Sequence, residues 1–398
     1  MDRLTILTFV GWYQPGFKAG GPVKSISNLV ACLGDEFKFL IITSDRDMGD
    51  SVSYPGITPG RWHAVGKAHV CYLSPAMQRL GWIAKIMRDT PHDVVYLNSF
   101  FHPHFSTLPL LAQRLHLAPR RTTILAPRGE LSVGALALKA AKKCSFRMIS
   151  KTIGLHTDLI WQASTELEAV DIRRVFKEDK IKIKVTESLM VATDLSQSAE
   201  PADQNVTRGE GQALRVVFLS RICPMKNLHF ALQVLAQVKV PVEFSIYGPR
   251  EDAGYWEQCE ALIPLLPANI SVTYIGPVKP NQVISMLSKH DLFFLPTLGE
   301  NYGHVITEAI AAGLPLLLSN KTPWCGLEEL GIGRDLPLDD MVPFAAYIED
   351  LGRASAEEIA QTKRFVALHL AKISNTSASL AANRSLFTQT AAFVKSSA

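Results

Sequence analysis

The chain has 398 residues, 47% hydrophobic and 20% charged, with a formal net charge of +4, so two globular domains of similar size are expected. That composition excludes a disordered or fibrous chain, and a small charge spread over both halves argues against nucleic acid as the leading partner. Cys32, Cys71, Cys144, Cys223, Cys259 and Cys325 stand far apart with no CxxC pair, which argues against a disulfide framework or a zinc site and fits reduced thiols in a cytosol.

From the N-terminus, MDRLTILTFVGWYQPG reads as a first strand and not as a signal peptide. No apolar run reaches the roughly eighteen residues of a membrane-spanning helix. Gly20 and Gly21 follow the first strand, where the residues alone read as a plain strand-to-helix turn. Further buried runs occur at FKFLIIT (37–43), HDVVYLN (92–98), TTILAP (122–127) and DLIWQAS (158–164), separated by helix-length amphipathic stretches. Such alternation predicts βαβ units around a parallel sheet.

Three features punctuate this half. Asp45 and Asp47 form a DxD after the second run, and His102 and His104 form an H-x-H in NSFFHPHFS. Both pairs bring metals to mind, but no third histidine ligand is evident and a DxD is frequent by chance, so both read as loop or helix-start residues and no metal site is assigned. Residues 131–156 carry Lys139, Lys142, Lys143, Arg147 and Lys151 with no acidic residue. That pattern predicts a basic amphipathic helix, either a solvated face or a surface for an anionic membrane.

The polar stretch SQSAEPADQNVTRGEGQA lies within an expected interdomain linker, 194–213, which divides a domain at 1–193 from one at 214–375. Strand-like runs resume at LRVVFLS (214–220), VEFSIYG (242–248), SVTYIG (271–276), DLFFLP (291–296) and LPLLLSN (314–320). The end, from about Ala354, is helical with no further strand, and 376–398 reads as a closing helix. Ligands in open α/β sheets bind beyond the carboxyl ends of the strands, so the residues just after these runs matter most.

Two such places stand out. FLSRICPMKN sets Arg221 and Lys226 after one strand, and GENYGHVITEA sets Gly299, Glu300, Asn301, Tyr302, Gly303 and Glu308 after another. The helix opening near Gly303 aims N–H groups and a positive dipole end at a phosphate or sugar oxygen. A carboxylate accepts from two vicinal hydroxyls, so Glu308 suits a ribose diol and Glu300 the sugar or its departing group. An arginine fork and a lysine ammonium suit a diphosphate.

The E-x7-E segment followed by EA, AAG and P, together with the R-x4-K element, resembles the retaining glycosyltransferases of family 4 over essentially the whole chain. The resemblance implies the GT-B architecture, two Rossmann-like α/β domains facing each other across a cleft, and metal-independent hexosyl transfer from a nucleoside-diphosphate sugar, UDP- or GDP-linked, without a cofactor. It implies catalytic roles for Glu300, Arg221 and Lys226, and donor contacts from Gly21, Gly248, Val278, Gly299, Asn301, Tyr302, Gly303 and Glu308. The family's N-terminal loop histidine is absent. Arg128 and Glu130 stand there in LAPRGEL and, with Asn98, are assigned to the acceptor side.

The acceptor is expected to be a saccharide or lipid-linked saccharide of cell-surface polysaccharide synthesis, met in the cytoplasm at the inner face of the membrane. Two other readings stay open: a sugar-nucleotide epimerase of the same architecture, and a non-catalytic nucleotide-sugar-binding protein.

Overall fold

A computed structural model describes residues 3–178, 188–196, 211–373 and 376–396, with side chains described outside 370–376 and 391–396. Most of the expected linker, 197–210, lies outside the described residues. The chain divides into two compact units, Met1–Gln197 with Thr376–Ala398, and Ser198–Asn375. Among the described residues no helix is long and apolar enough to cross a membrane.

The first unit is built on β1 (Thr5–Phe9), β2 (Lys38–Ser44), β3 (Trp62–Val65), β4 (Ala68–Leu73), β5 (Val94–Leu97), β6 (Thr122–Leu125), β7 (Leu159–Ala163) and β8 (Leu189–Val191). They form one sheet in the order β3-β4-β2-β1-β5-β6-β7-β8, with β3 antiparallel to β4 and the other pairings parallel. β5 is buried at all four positions, because a central parallel strand has helices on both faces and reads as an unbroken apolar run.

Helix Thr376–Ser396 docks on one face of this sheet. Phe387 sets its ring edge-on to Phe37, Phe39 and Tyr96 at 5.4, 6.0 and 5.5 Å, and Arg384 forks onto both oxygens of Glu36. The C-terminal helix therefore completes the first unit's core.

The second unit holds β9 (Leu214–Leu219), β10 (Val242–Tyr247), β11 (Ile270–Gly276), β12 (Leu292–Leu295), β13 (Leu316–Ser319) and β14 (Gly333–Leu336), all parallel, in the order β11-β10-β9-β12-β13-β14. Counted within the unit this is 3-2-1-4-5-6, the doubly wound order of dinucleotide-binding folds. The strand order reverses between β9 and β12, and crevices outside such a reversal are where these sheets bind ligands.

Four strands escape a reading by apolar runs. β3 is an edge hairpin partner with a half-exposed pattern, β4 carries an exposed His69, β8 is three residues long and β14 reads GRDL. Edge and near-edge strands lack the two-sided burial that makes a strand apolar throughout. The basic stretch also differs from the expected single helix: it forms Val133–Ala137 and Ala140–Thr152, broken at Lys139 in the left-handed conformation at φ 56°. Lys143 Nζ closes the break by donating to Ala135 O at 2.5 Å.

Candidate active site

The switch point of the second unit is built from the loops after β9 and β12. After β9 the chain makes a 3-10 turn, Pro224–Lys226, ended by Asn227 in the left-handed conformation. Met225 O then accepts from Leu298 N at 2.8 Å and from the Thr297 hydroxyl at 2.9 Å. These two bonds staple the loops together and set Lys226 against Glu300, Nζ to Oε2 at 2.6 Å. Both side chains are largely withdrawn from water, at 9% and 16% exposure.

Burial disfavours the charge on Glu300, but the Lys226 ammonium, its hydrogen bond, the Asn301 N–H and the charge of Arg221 outweigh it and hold the carboxyl below its ordinary range. The Glu300 carboxylate is thus kept ionised. Arg221 lies on the same loop and donates to Glu251 Oε2 at 2.7 Å. Gly248, at φ +130°, is fixed by packing: a Cβ there would stand 1.8 Å from Ser220 O, so any other residue would push apart the loops that carry Arg221.

Helix His304–Ala311 starts from Gly303, whose φ of 81° is left-handed and whose position offers no side-chain cap. A Cβ on Gly303 would lie 2.7 Å from Ile306 Cδ1 and 3.1 Å from Glu300 Cγ, so the glycine lets Glu300 and the helix start share one place. Ile306 N donates back to Gly303 O at 2.8 Å, so what the helix start offers an external acceptor is chiefly its positive dipole end. Thr297 bridges Gly299 through its hydroxyl, Tyr302 O accepts from Trp324 Nε1 at 2.7 Å, and Glu308 rides the second turn, half-buried. Asn301 Oδ1 is buried with no hydrogen-bond partner among the described residues. Val278 follows β11, partly packed on the core.

Residues expected on the acceptor side sit in the first unit and mostly face inward. Arg128 is 6% exposed and donates to Asn98 Oδ1 at 3.1 and 2.8 Å, Ser164 Oγ at 3.2 Å, Tyr96 OH at 2.7 Å and the Asp194 carboxylate. Burial opposes its charge, yet Asp194 and its neighbours raise its pKa above the ordinary value. Glu130 accepts from the Ser99 hydroxyl and from the N–H groups of Phe100 and Phe101 at 2.6 and 3.0 Å, and burial raises its pKa despite those bonds. Asn98, Arg128 and Glu130, expected on the acceptor side, thus also brace the ends of β5 and β6 through these bonds.

Gly21 opens helix Gly21–Leu33 behind Gly20, with nothing within 4 Å of where either Cβ would stand. Asp47 accepts from Phe17 N and Lys18 N, at 2.8 and 3.2 Å, and Asp45 pairs with Arg46, so the DxD pins loops. His102 accepts from Phe105 N at the start of the helical turn Pro103–Thr107, and among the described residues no group of three metal-ligating side chains occurs.

Residues 201–329 match the family described as glycosyl transferases group 1. Across its length the chain superimposes on Anabaena Alr3699/HepE, solved with UDP-glucose, at 14% identity with 99% and 100% of the two chains covered and a TM-score of 0.64. The fold is GT-B. The trehalose-6-phosphate synthase OtsA shares it at 11% identity, with 98% and 99% covered and a TM-score of 0.70, and these GT-B likenesses speak for architecture alone. Among curated relatives, the D-inositol 3-phosphate glycosyltransferase of Corynebacterium urealyticum is 25% identical over 164 residues. That match spans 39% of this chain and 39% of the relative's length.

Glu251 was beyond sequence reasoning. It stands thirty positions from Arg221, and nothing in the spacing links them; its place just after β10 is the one available signal.

Proposed function

We propose that the chain is a glycosyltransferase that takes a sugar from a nucleoside-diphosphate donor, retaining the anomeric configuration, and passes it to an acceptor hydroxyl. The observation that carries the reading is the Lys226–Glu300 ion pair at the β9/β12 switch point, beside Arg221 and the uncapped helix start at Gly303. Arg221 and Lys226 neutralise the departing diphosphate together with the helix start, without a metal. Glu300 orients the sugar, Glu308 takes the ribose diol, and Asn301 Oδ1 accepts from a sugar hydroxyl. Gly248 and Val278 border the nucleotide through backbone groups, and Gly21 opens a second helix start with space above it.

The match to group 1 glycosyl transferases covers the second unit's part of this site and supports the reading over an epimerase. Titration and turnover with UDP-, GDP-, ADP- and dTDP-sugars test it. One of them is expected to raise the melting temperature and to be consumed, and thermal indifference to all four would overturn the donor assignment. Binding without consumption by any acceptor would return the silent binder.

For the acceptor, a lipid-linked saccharide at an anionic membrane surface is supported by Ala140–Thr152 and its flank. Lys143 packs over Phe101 and Arg147 pairs with Glu178, while Lys139, Lys142 and Lys151 are exposed. Beside them Met148, Ile149 and Ile153 are exposed at 63%, 60% and 51%. Charge plus apolar side chains is the composition of an interfacial helix. The chain is expected to float with vesicles containing phosphatidylglycerol and not with neutral ones; equal flotation, or none, counts against this acceptor.

A further inference from the structure

The cations of the second unit's site are already matched by carboxylates, and the two matches differ in kind. Glu300 is held by Lys226, by the N–H of Asn301 at 3.3 Å, and through its own N–H to Lys321 O at 3.2 Å. Glu251 meets Arg221 through a bond of 2.7 Å with 34% and 33% of the two side chains exposed. The first pair is built in; the second lies open to water.

The backbone beneath the open pair is fixed. Ser220 N donates to Tyr247 O at 3.1 Å, Ile222 N to Pro249 O at 2.8 Å and Asp252 N to Ile222 O at 3.2 Å, and Ile222 bridges Arg250 as in a sheet. Residues on either side of Arg221 are thereby tied to the β10 loop, so the pair exchanges partners by side-chain rotation alone. Arg221 also contributes to holding Glu300 ionised, so Glu251, Arg221, Glu300 and Lys226 form a set of alternating sign and zero net charge. A diphosphate entering this set adds negative charge, which these four residues alone balance only if one carboxylate lets go.

We propose that Glu251 is a resident counter-anion that holds Arg221 in place and yields it to the diphosphate of the donor. This rests on the diphosphate reading above and goes beyond it by naming the group that is displaced. Glu251 is the carboxylate able to leave, since a third of its side chain is exposed to water and its departure leaves no buried charge behind. A diphosphate brings more negative charge to Arg221 than one carboxylate does, and an ion pair a third exposed to water is worth little, so exchange favours the ligand while the counter-anion lowers its affinity.

Calorimetric titration of UDP, GDP and ADP onto the full chain tests this with wild type, Glu251→Gln, Arg221→Gln and the double variant. Glu251→Gln is expected to tighten the nucleotide that binds by about two- to fivefold, the scale of an exposed ion pair, and the double variant to match Arg221→Gln. Equal or weaker binding by Glu251→Gln, or tightening that persists without Arg221, overturns the proposal while leaving the diphosphate reading standing. Failure of the wild type to bind any of the three overturns that reading and the counter-anion with it.

Discussion

In the first unit Arg128 is shut away from water among Tyr96, Asn98, Ser164 and Asp194, whereas in the second Arg221 lies a third exposed against Glu251. The two arginines follow strands at comparable places, β6 and β9, yet one is spent on architecture and the other is kept for exchange. Asp194 shows the first use most directly: it also accepts from Ser25 at 2.6 Å, so the chain leaving the first sheet is tied to helix Gly21–Leu33 through the same buried charge. Charge that must move needs water and a weak partner; charge that must hold needs burial and many.

The largest effect expected from this contrast is on Arg128. Arg128→Met leaves Asp194 buried without its counter-charge, a loss of about 3–5 kcal/mol for a broken buried pair. Thermal melting should fall by many degrees, while nucleotide affinity at the second unit stays near wild type wherever the protein remains folded. A variant that melts like wild type but transfers no sugar would break the contrast and return Arg128 to the acceptor.

Lys226 comes next. Lys226→Ala removes a preorganised cation from the departing diphosphate, and the loss of one such group costs about 10²–10³ in turnover. Glu300 loses its partner as well, so Lys226→Arg serves as the control for charge without shape. Turnover of Lys226→Ala within a few fold of wild type would place the chemistry elsewhere.

The same contrast explains what could be read without coordinates. Glu300, Lys226 and Gly303 belong to short local patterns whose spacing reflects one strand, one turn and one helix, so the chemistry is visible in sequence order. Arg128, Asn98 and Asp194 meet across as many as 96 positions of chain, and their burial depends on a sheet order that no local period encodes. The central strands were legible because two-sided burial makes them apolar; β3, β8 and β14 were not, since edge strands follow no such rule. The break at Lys139 escapes for a related reason: its left-handed backbone goes with contacts of Lys143 to Ala135 and Phe101 that no local period encodes.

Acid sharpens the comparison at the smallest scale. Burial lowers the pKa of His92, of His102 to about 4 and of His156 to about 3 in the first unit, and of His290 to about 4 in the second. Each is a base depressed on folding, so the unfolded chain binds the proton first; the stability it contributes is complete above the ordinary value of 6.5 and is lost as pH falls toward the folded value. Glu130 and Glu168, raised by burial, act in the opposite sense, and for that reason a substitution reads the histidine better than a bare titration. His156, stacked on Phe100 at 4.4 Å, is the one to replace. His156→Phe should flatten the fall of the urea midpoint between about pH 6.5 and pH 4.5, by about 1.4 kcal/mol per pH unit at most, whatever its effect at pH 7. An unchanged slope would mean that His156 is reached by water and that the first unit's core is less closed than its buried charges require.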